Sequence, residues 1–259
     1  MHNKSNIPKF IFSPLLIVII LSIPIEAFGQ KIPKSEYFIT ALQLSSFLYL
    51  QFGLENNPKN LVDSDPNSFD KYFRKRLVWE KIQIDRAEYF SDVLLYGLFV
   101  GSIPLTPIVN KDKYMEYFLT NLQVISLNGI ITNTVKILSK RQRPDAYYGT
   151  REYKKDKFRS FFSGHTSTAF ALGTSSAILL SRYYPEKKNA IWASALGFAS
   201  GTGYLRVAAD KHYVTDVLVG GIVGSMVGVF VENSKNNKFS IIPMRFNEYK
   251  VVRFSIDIH

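Results

Sequence analysis

The sequence predicts an all-α fold: a membrane-embedded helical bundle of about five to six core helices, with a short β segment at the C-terminus. Three observations carry this reading. There are five apolar stretches of similar length, at residues 93–109, 117–138, 166–181, 189–205 and 214–232. Each is close to the roughly 20 residues that a helix needs to cross a bilayer core. Gly220, Gly224 and Gly228 recur every fourth residue, which sets them on one helix face and lets a second helix approach closely. In the tail, Phe254, Ile256 and Ile258 alternate with Arg253, Ser255 and Asp257, the period of a strand, with a hairpin turn around Asn247-Glu248. A soluble all-helical domain with five buried helices is the alternative, and the short, glycine-rich 189–205 stretch suits it.

Composition agrees. The 259 residues are 46% hydrophobic and only 20% charged, and mean hydropathy is near zero. The apolar surplus has to be buried in a large core or in lipid. The net charge is +11, which suits an anionic partner: nucleic acid, anionic lipid or a phosphorylated substrate. The basic residues gather in one region, where Lys136, Lys140, Arg141, Arg143, Arg151, Lys154, Lys155, Lys157 and Arg159 lie close together. We read that cluster as an anion site. The chain has no cysteine, which excludes disulfides, thiolate-metal sites and a cysteine nucleophile.

The chain divides into residues 1–29, 30–235 and 236–259. Lys4 and Lys9 precede an apolar run from Phe10 to Ile25, and Ala27-Phe28-Gly29 gives a small-x-small pattern before Gln30. This is the layout of a secretory signal peptide, with an uncleaved membrane anchor as the alternative. Residues 35–52 carry Tyr37, Ala41, Leu44, Phe47, Leu48 and Phe52 at helical spacings, and Gln43 and Gln51 make the stretch a poor span. It is expected as an amphipathic helix against the core or the lipid interface. A polar loop over 55–70 and a basic helix over 68–79 follow. Residues 30–235 are the expected functional domain, and the tail 236–259 receives no function.

Three clusters carry chemistry. In the first, Lys136 and Arg143 are seven residues apart, two turns on one face if the helix continues, and Pro144 helps to stop it. Lysine and arginine converging at a helix end hold an anion, and the guanidinium fork fits phosphate oxygens. The second is Ser163-Gly164-His165, directly before an apolar helix. It supplies a hydroxyl, a close backbone approach, free N–H groups with positive dipole character, and an imidazole. The third holds Arg206, His212 and Asp216. A helix would put His212 and Asp216 on one face, where the carboxylate fixes the imidazole tautomer. The other two of the four histidines, His2 and His259, are terminal, so both internal histidines fall in these clusters.

These residues resemble the type 2 phosphatidic acid phosphatase superfamily, which also holds bacterial class A acid phosphatases and vanadium haloperoxidases. Its pattern is K-x6-RP, then PSGH, then SR-x5-H-x3-D. Lys136, Arg143 and Pro144 match the first part; Ser163, Gly164 and His165 match the second, with Phe162 where proline is usual; Arg206, His212 and Asp216 match the third, with Leu205 where serine is usual. The resemblance covers roughly residues 90–232. It implies a metal-independent phosphatase without a cofactor, acting on a lipid phosphate or polyprenyl diphosphate. By that analogy His212 attacks phosphorus to form a phosphohistidine, Asp216 orients it, and His165 protonates the leaving oxygen. Lys136, Arg143, Ser163, Gly164 and Arg206 hold the phosphoryl oxygens.

The expected partners are a phosphorylated lipid or other phosphate ester and membrane lipids, with no nucleic acid, since no nucleic-acid module is visible. With residues 35–52 outside the bilayer, the loops holding Lys111, Lys113, Arg182, Lys187 and Lys188 fall inside, as does the tail with Lys235 and Lys238, as the positive-inside rule requires. The three motifs then face the periplasm or exterior of a bacterial cell envelope. If 35–52 spans, they face inward. A soluble exported acid phosphatase and a non-catalytic phosphate- or lipid-binding membrane protein are the competing readings.

Overall fold

Local sequence sets where each helix of the bundle begins and ends. The structure is a computed structural model and describes residues 32–53, 65–151, 156–235, 239–246 and 249–256. The expected signal segment 1–29, most of the 55–70 loop, Lys154, Lys155 and the Asn247-Glu248 turn lie outside the described residues. The helices are α1 (Lys34–Leu48, extended by a π turn at Tyr49–Gly53), α2 (Ser68–Leu77), α3 (Ile84–Val100), α4 (Tyr114–Ser139), the short α5 (Pro144–Tyr147), α6 (Gly164–Tyr183), α7 (Lys188–Ala208) and α8 (Val214–Lys235). Strands β1 (Phe239–Phe246) and β2 (Tyr249–Ile256) form the antiparallel hairpin expected of the tail, with Phe239 opposite Ile256 and Phe246 opposite Tyr249.

Caps fix several boundaries. The Asn67 side chain accepts from the Asp70 amide at 2.8 Å and starts α2. Ser163 caps α6, its hydroxyl accepting from the Thr166 hydroxyl at 2.9 Å. α4 ends where Lys140 turns left-handed, with φ 46°. Pro144 then starts α5, its ring preset for the first helical position. The helix therefore stops before Arg143, and the proline opens a helix where the sequence suggested a stop.

The spacing of 93–109 also reads differently in three dimensions. Regular helix starts nine residues earlier, at Ile84, and gives way after Val100 to a π turn containing Pro104 and a 3-10 turn over Thr106–Val109. The first three turns of α3 carry Asp85, Glu88 and Asp92, carboxylates that engage cations of the bundle mouth and so hide the helix from an apolar count.

Small residues let the helices meet backbone to backbone. A methyl group at Gly220 would stand 2.8 Å from the Ser163 carbonyl oxygen, and one at Gly228 would stand 2.6 Å from that of Ala171, with Gly224 pressed on Ser167 between them. The predicted glycine stripe is thus the face of α8 that docks on α6. On α7, Ala195 lies against Gly173 of α6, and on α1 the Phe47 ring covers Gly129 of α4. Thr40 of α1 accepts from Gln123 of α4 at 2.8 Å. α1 therefore runs parallel to α4 as a member of the bundle, its first residues at the end remote from the α4 C-terminus. Val124, Ile125, Ala171, Leu172, Val227 and Val231 fill the centre.

Beside this apolar centre the bundle buries polar side chains, and its outer face is apolar. Asn121, Asn128, Ser167 and Ser175 are buried, and Asn128 donates to Ser167 at 3.1 Å and to Thr168 at 3.0 Å. Tyr89, Phe90, Tyr96, Val100, Leu218, Ile222, Met226 and Phe230 face outward, an apolar surface that needs a non-aqueous neighbour. Among the described residues, Ile84–Val109 and Val214–Lys235 are long and apolar enough to cross a membrane. The other three apolar stretches are helical as expected, but their inward serines, threonines and asparagines lower their hydropathy.

Candidate active site

Chain reversals, rather than continuous helices, assemble the motifs at one end of the bundle. After α4 ends, residues 141–143 pair with 156–160: the Arg143 amide donates to the Lys157 carbonyl at 2.9 Å, and the Ser160 amide donates to the Arg141 carbonyl at 3.0 Å. This stitch, not a helix face, returns Arg143 to the end of α4 that carries Lys136. The Ser163 amide donates to the Asp216 carbonyl at 3.0 Å, which ties the second motif to the third. Gly164 stands against Lys136; a methyl group there would lie 3.6 Å from the Lys136 Nζ.

His212 is not on a helix with Asp216. It precedes α8, and Asp216 sits in the first turn, where its Oδ2 accepts from the Tyr213 amide at 2.9 Å. The turn still places His212 Nδ1 3.6 Å from Asp216 Oδ2, longer than a hydrogen bond, while Arg143 Nη1 lies 3.2 Å from His212 Nε2. A guanidinium only donates, so Nε2 is the acceptor. The proton of the neutral ring is then on Nδ1, toward Asp216, and the lone pair of Nε2 faces the cations. Burial, then Arg143, Lys136 and Arg206, hold His212 well below the ordinary histidine range, which keeps it neutral.

His165 lies in the first turn of α6, with 36% of its side chain open. Its Nε2 is 3.0 Å from Asp92 Oδ1. A carboxylate accepts, so this nitrogen carries the proton. Withdrawal from water and the Arg206 charge hold His165 down to about 4, with Asp92 pulling the other way. Arg206 Nη1 donates to Ser91 Oγ at 3.2 Å and lies 3.6 Å from Asp92. Lys136, Arg143 and Arg206 are all buried, and all three bear on His212 electrostatically. Every site residue expected from the sequence is therefore at this mouth.

Several residues here had no sequence signal of their own. Asp92 is a carboxylate at the edge of an apolar run. Arg141 bridges two fully buried carboxylates, Asp70 and Asp216, at 2.6 Å each, and Ser160 donates to Asp216 Oδ2 at 2.6 Å. Asp70 also receives the Thr215 amide and hydroxyl, at 3.0 and 2.7 Å. Only its place two residues before Arg143 marked Arg141. The basic cluster thus divides: Arg141 and Arg151 are neutralised by carboxylates, while Arg143 and Arg159 have no carboxylate within 4 Å among the described residues.

Comparison with known families covers this same region. Residues 118–240 match the PAP2 superfamily. The PAP2 match takes in all three motifs and leaves α1–α3 outside. A lipid A 1-phosphatase from Porphyromonas gingivalis is 37% identical over 106 residues, which are 40% of this chain and 20% of that protein. The chain thus aligns with about a fifth of that relative's length. Two solved structures are also similar. LpxE of Aquifex aeolicus has a TM-score of 0.44 and 22% identity, covering 66% of this chain and 98% of that one. A transmembrane PAP2 type phosphatidylglycerolphosphate phosphatase from Bacillus subtilis has a TM-score of 0.41 and 18% identity, covering 86% and 93%.

Proposed function

We propose that this chain is a membrane phosphatase that hydrolyses a lipid phosphate or diphosphate through a phosphohistidine. The observation that carries the reading is the convergence of three buried cations on an imidazole whose unprotonated Nε2 faces them. Phosphoryl transfer needs chiefly positioning and stabilisation of charge on the equatorial oxygens. Lys136, Arg143 and Arg206 supply that charge, with the Ser163 hydroxyl and the Gly164 amide at the head of α6. His212 Nε2 attacks phosphorus, Asp216 takes up the positive charge through Nδ1–H, and the phosphorus–oxygen bond to the leaving group breaks. His165, which takes up a second proton once the phosphate dianion is bound, gives its Nε2 proton as an imidazolium to that oxygen, which replaces Asp92 as acceptor. Water, deprotonated by the now neutral His165, then attacks the phosphohistidine, releasing phosphate and His212.

Lipid as substrate is supported by the outward apolar surface beside the mouth and by the name of the Porphyromonas gingivalis relative. We further propose that the mouth faces the periplasm or exterior. α1 bears on this. Its first residues lie at the opposite end of the bundle, so an outward mouth requires residue 34 on the inner side if α1 crosses the bilayer, and then no cleavage after Gly29 on the outer side. Protease protection of an epitope in loop 145–158 tests the orientation; protection from protease added outside rejects it.

The deciding assay is phosphate release by the full chain in detergent with EDTA, over phosphatidate, prenyl diphosphate, lipid A phosphate and an aryl phosphate, with His212→Ala as control. Release from lipids that vanishes in the variant is the expected result. Release from the aryl ester alone would point to a non-specific acid phosphatase. Release from none would refute the catalytic reading.

A further inference from the structure

Arg159 has no part in the three motifs, yet it is buried at the same mouth, 6% exposed. Its neighbours explain its position. The stitch between 141–143 and 156–160 sets it beside Arg143, whose Nε donates to the Asp156 carbonyl at 3.0 Å while the Arg159 amide donates to that same carbonyl at 3.2 Å. Its Nη2 donates to Asn133 Oδ1 at 2.5 Å. Asn133 is itself buried, and it precedes Lys136 by three residues on α4, so the two share a face. Arg143 and Arg159 repel each other, and both act on Lys136.

The electrostatics of this arrangement are incomplete. Among the described residues, no carboxylate lies within 4 Å of Arg159. Arg74, Arg141, Arg151, Arg182 and Arg206 each have at least one. Among the described residues, the opposing charge that acts on it is Asp156, which is exposed and screened by water. A guanidinium cannot shed its proton, and burying one against a neutral amide is unfavourable unless an anion joins it. Among the described residues, only one of its five donors is used by a side chain.

We propose that Arg159 is a fourth cation of the phosphoryl site, positioned by Asn133, that donates to an oxygen of the bound phosphoryl group. This rests on the phosphatase reading for its ligand, but its test does not depend on turnover. Arg159→Gln keeps a donor for Asn133 and removes the charge. The full chain in detergent is melted with and without inorganic phosphate, and inhibition by phosphate is measured on any ester the wild type cleaves. The expected variant melts at the same temperature or higher when empty, gains less from phosphate, and binds phosphate about tenfold or more weakly, the weight of one charge-assisted hydrogen bond.

An unchanged response to phosphate would overturn the proposal. So would a lower melting temperature of the empty variant, because a structural arginine supplies stability that a cation awaiting its anion does not. A wild type that binds phosphate without cleaving any ester would sink the phosphatase reading and leave this one standing.

Discussion

The docking of α8 on α6 makes a quantitative prediction at Gly228, about three turns beyond Asp216. A methyl group there would sit 2.6 Å from the Ala171 carbonyl oxygen and 3.0 Å from Thr174 Cβ. Ordinary carbon–oxygen contact begins near 3.3 Å, so the helices must part by roughly 0.7 Å or the methyl must overlap backbone. Overpacking of that kind costs about 1–3 kcal/mol. The intrinsic preference of a helix for alanine returns about 0.8–1 kcal/mol. Gly228→Ala should therefore lose up to about 2 kcal/mol. Gly197 on α7 is the control, because nothing lies within 4 Å of its missing Cβ, and Gly197→Ala should gain about 0.8–1 kcal/mol. At roughly 2–4 °C per kcal/mol for a chain of this size, the two variants should melt several degrees apart. Far-UV circular dichroism in one detergent measures this. If Gly228→Ala melts as high as Gly197→Ala, the backbone-to-backbone account of the α6–α8 interface is wrong.

Other perturbations reach the chemistry. Gly220→Ala presses on Ser163 and should lower kcat more than it lowers the melting temperature; the reverse ranking would show that the second motif is not held by α8. Arg141→Gln leaves two fully buried carboxylates without their cation and should cost about 3–5 kcal/mol. Adding Asp70→Asn should recover part of that, as a double-mutant cycle in chemical unfolding would read. His165 titrates near 4 when folded, against about 6.5 in the unfolded chain. The unfolded state therefore binds the extra proton first, so this contribution to stability is complete above pH 6.5 and is lost as pH falls toward 4. Melting of the empty protein should drop across that window, and His165→Gln should flatten the slope. Bound phosphate dianion favours the imidazolium, so the profile of kcat should extend to higher pH than that of kcat/KM; coincident profiles would count against His165 as the acid.

The charged groups of the motifs were legible because their spacing survives folding: Lys136, Arg143, His165, Arg206, His212 and Asp216 meet at one mouth. The glycine stripe was legible because period four fixes a helix face whatever its partner. The route was not legible. Seven residues from Lys136 to Arg143 fit two helical turns, and only the left-handed Lys140 and the pairing of 141–143 with 156–160 show that the chain reverses instead. Asp92 and Asp70 were invisible for another reason: their partners, His165 and Arg141, lie 73 and 71 residues away, and no local period records a contact of that range.

The carboxylates on α2 and α3 have a consequence for how the unit could be moved or trimmed. The PAP2 match begins at residue 118, but Asp70 and Asp92 come from upstream of it, as does Arg74, which clamps Asp210 beside His212 at 2.6 Å. A fragment cut at the family boundary would keep the cations and both histidines and lose the groups that restrain them. Transplanted to another scaffold, it would be a set of mutually repelling charges without a frame. The portable unit begins at α2 at the latest, and evolution of this site has to be followed through two helices that carry none of its signature.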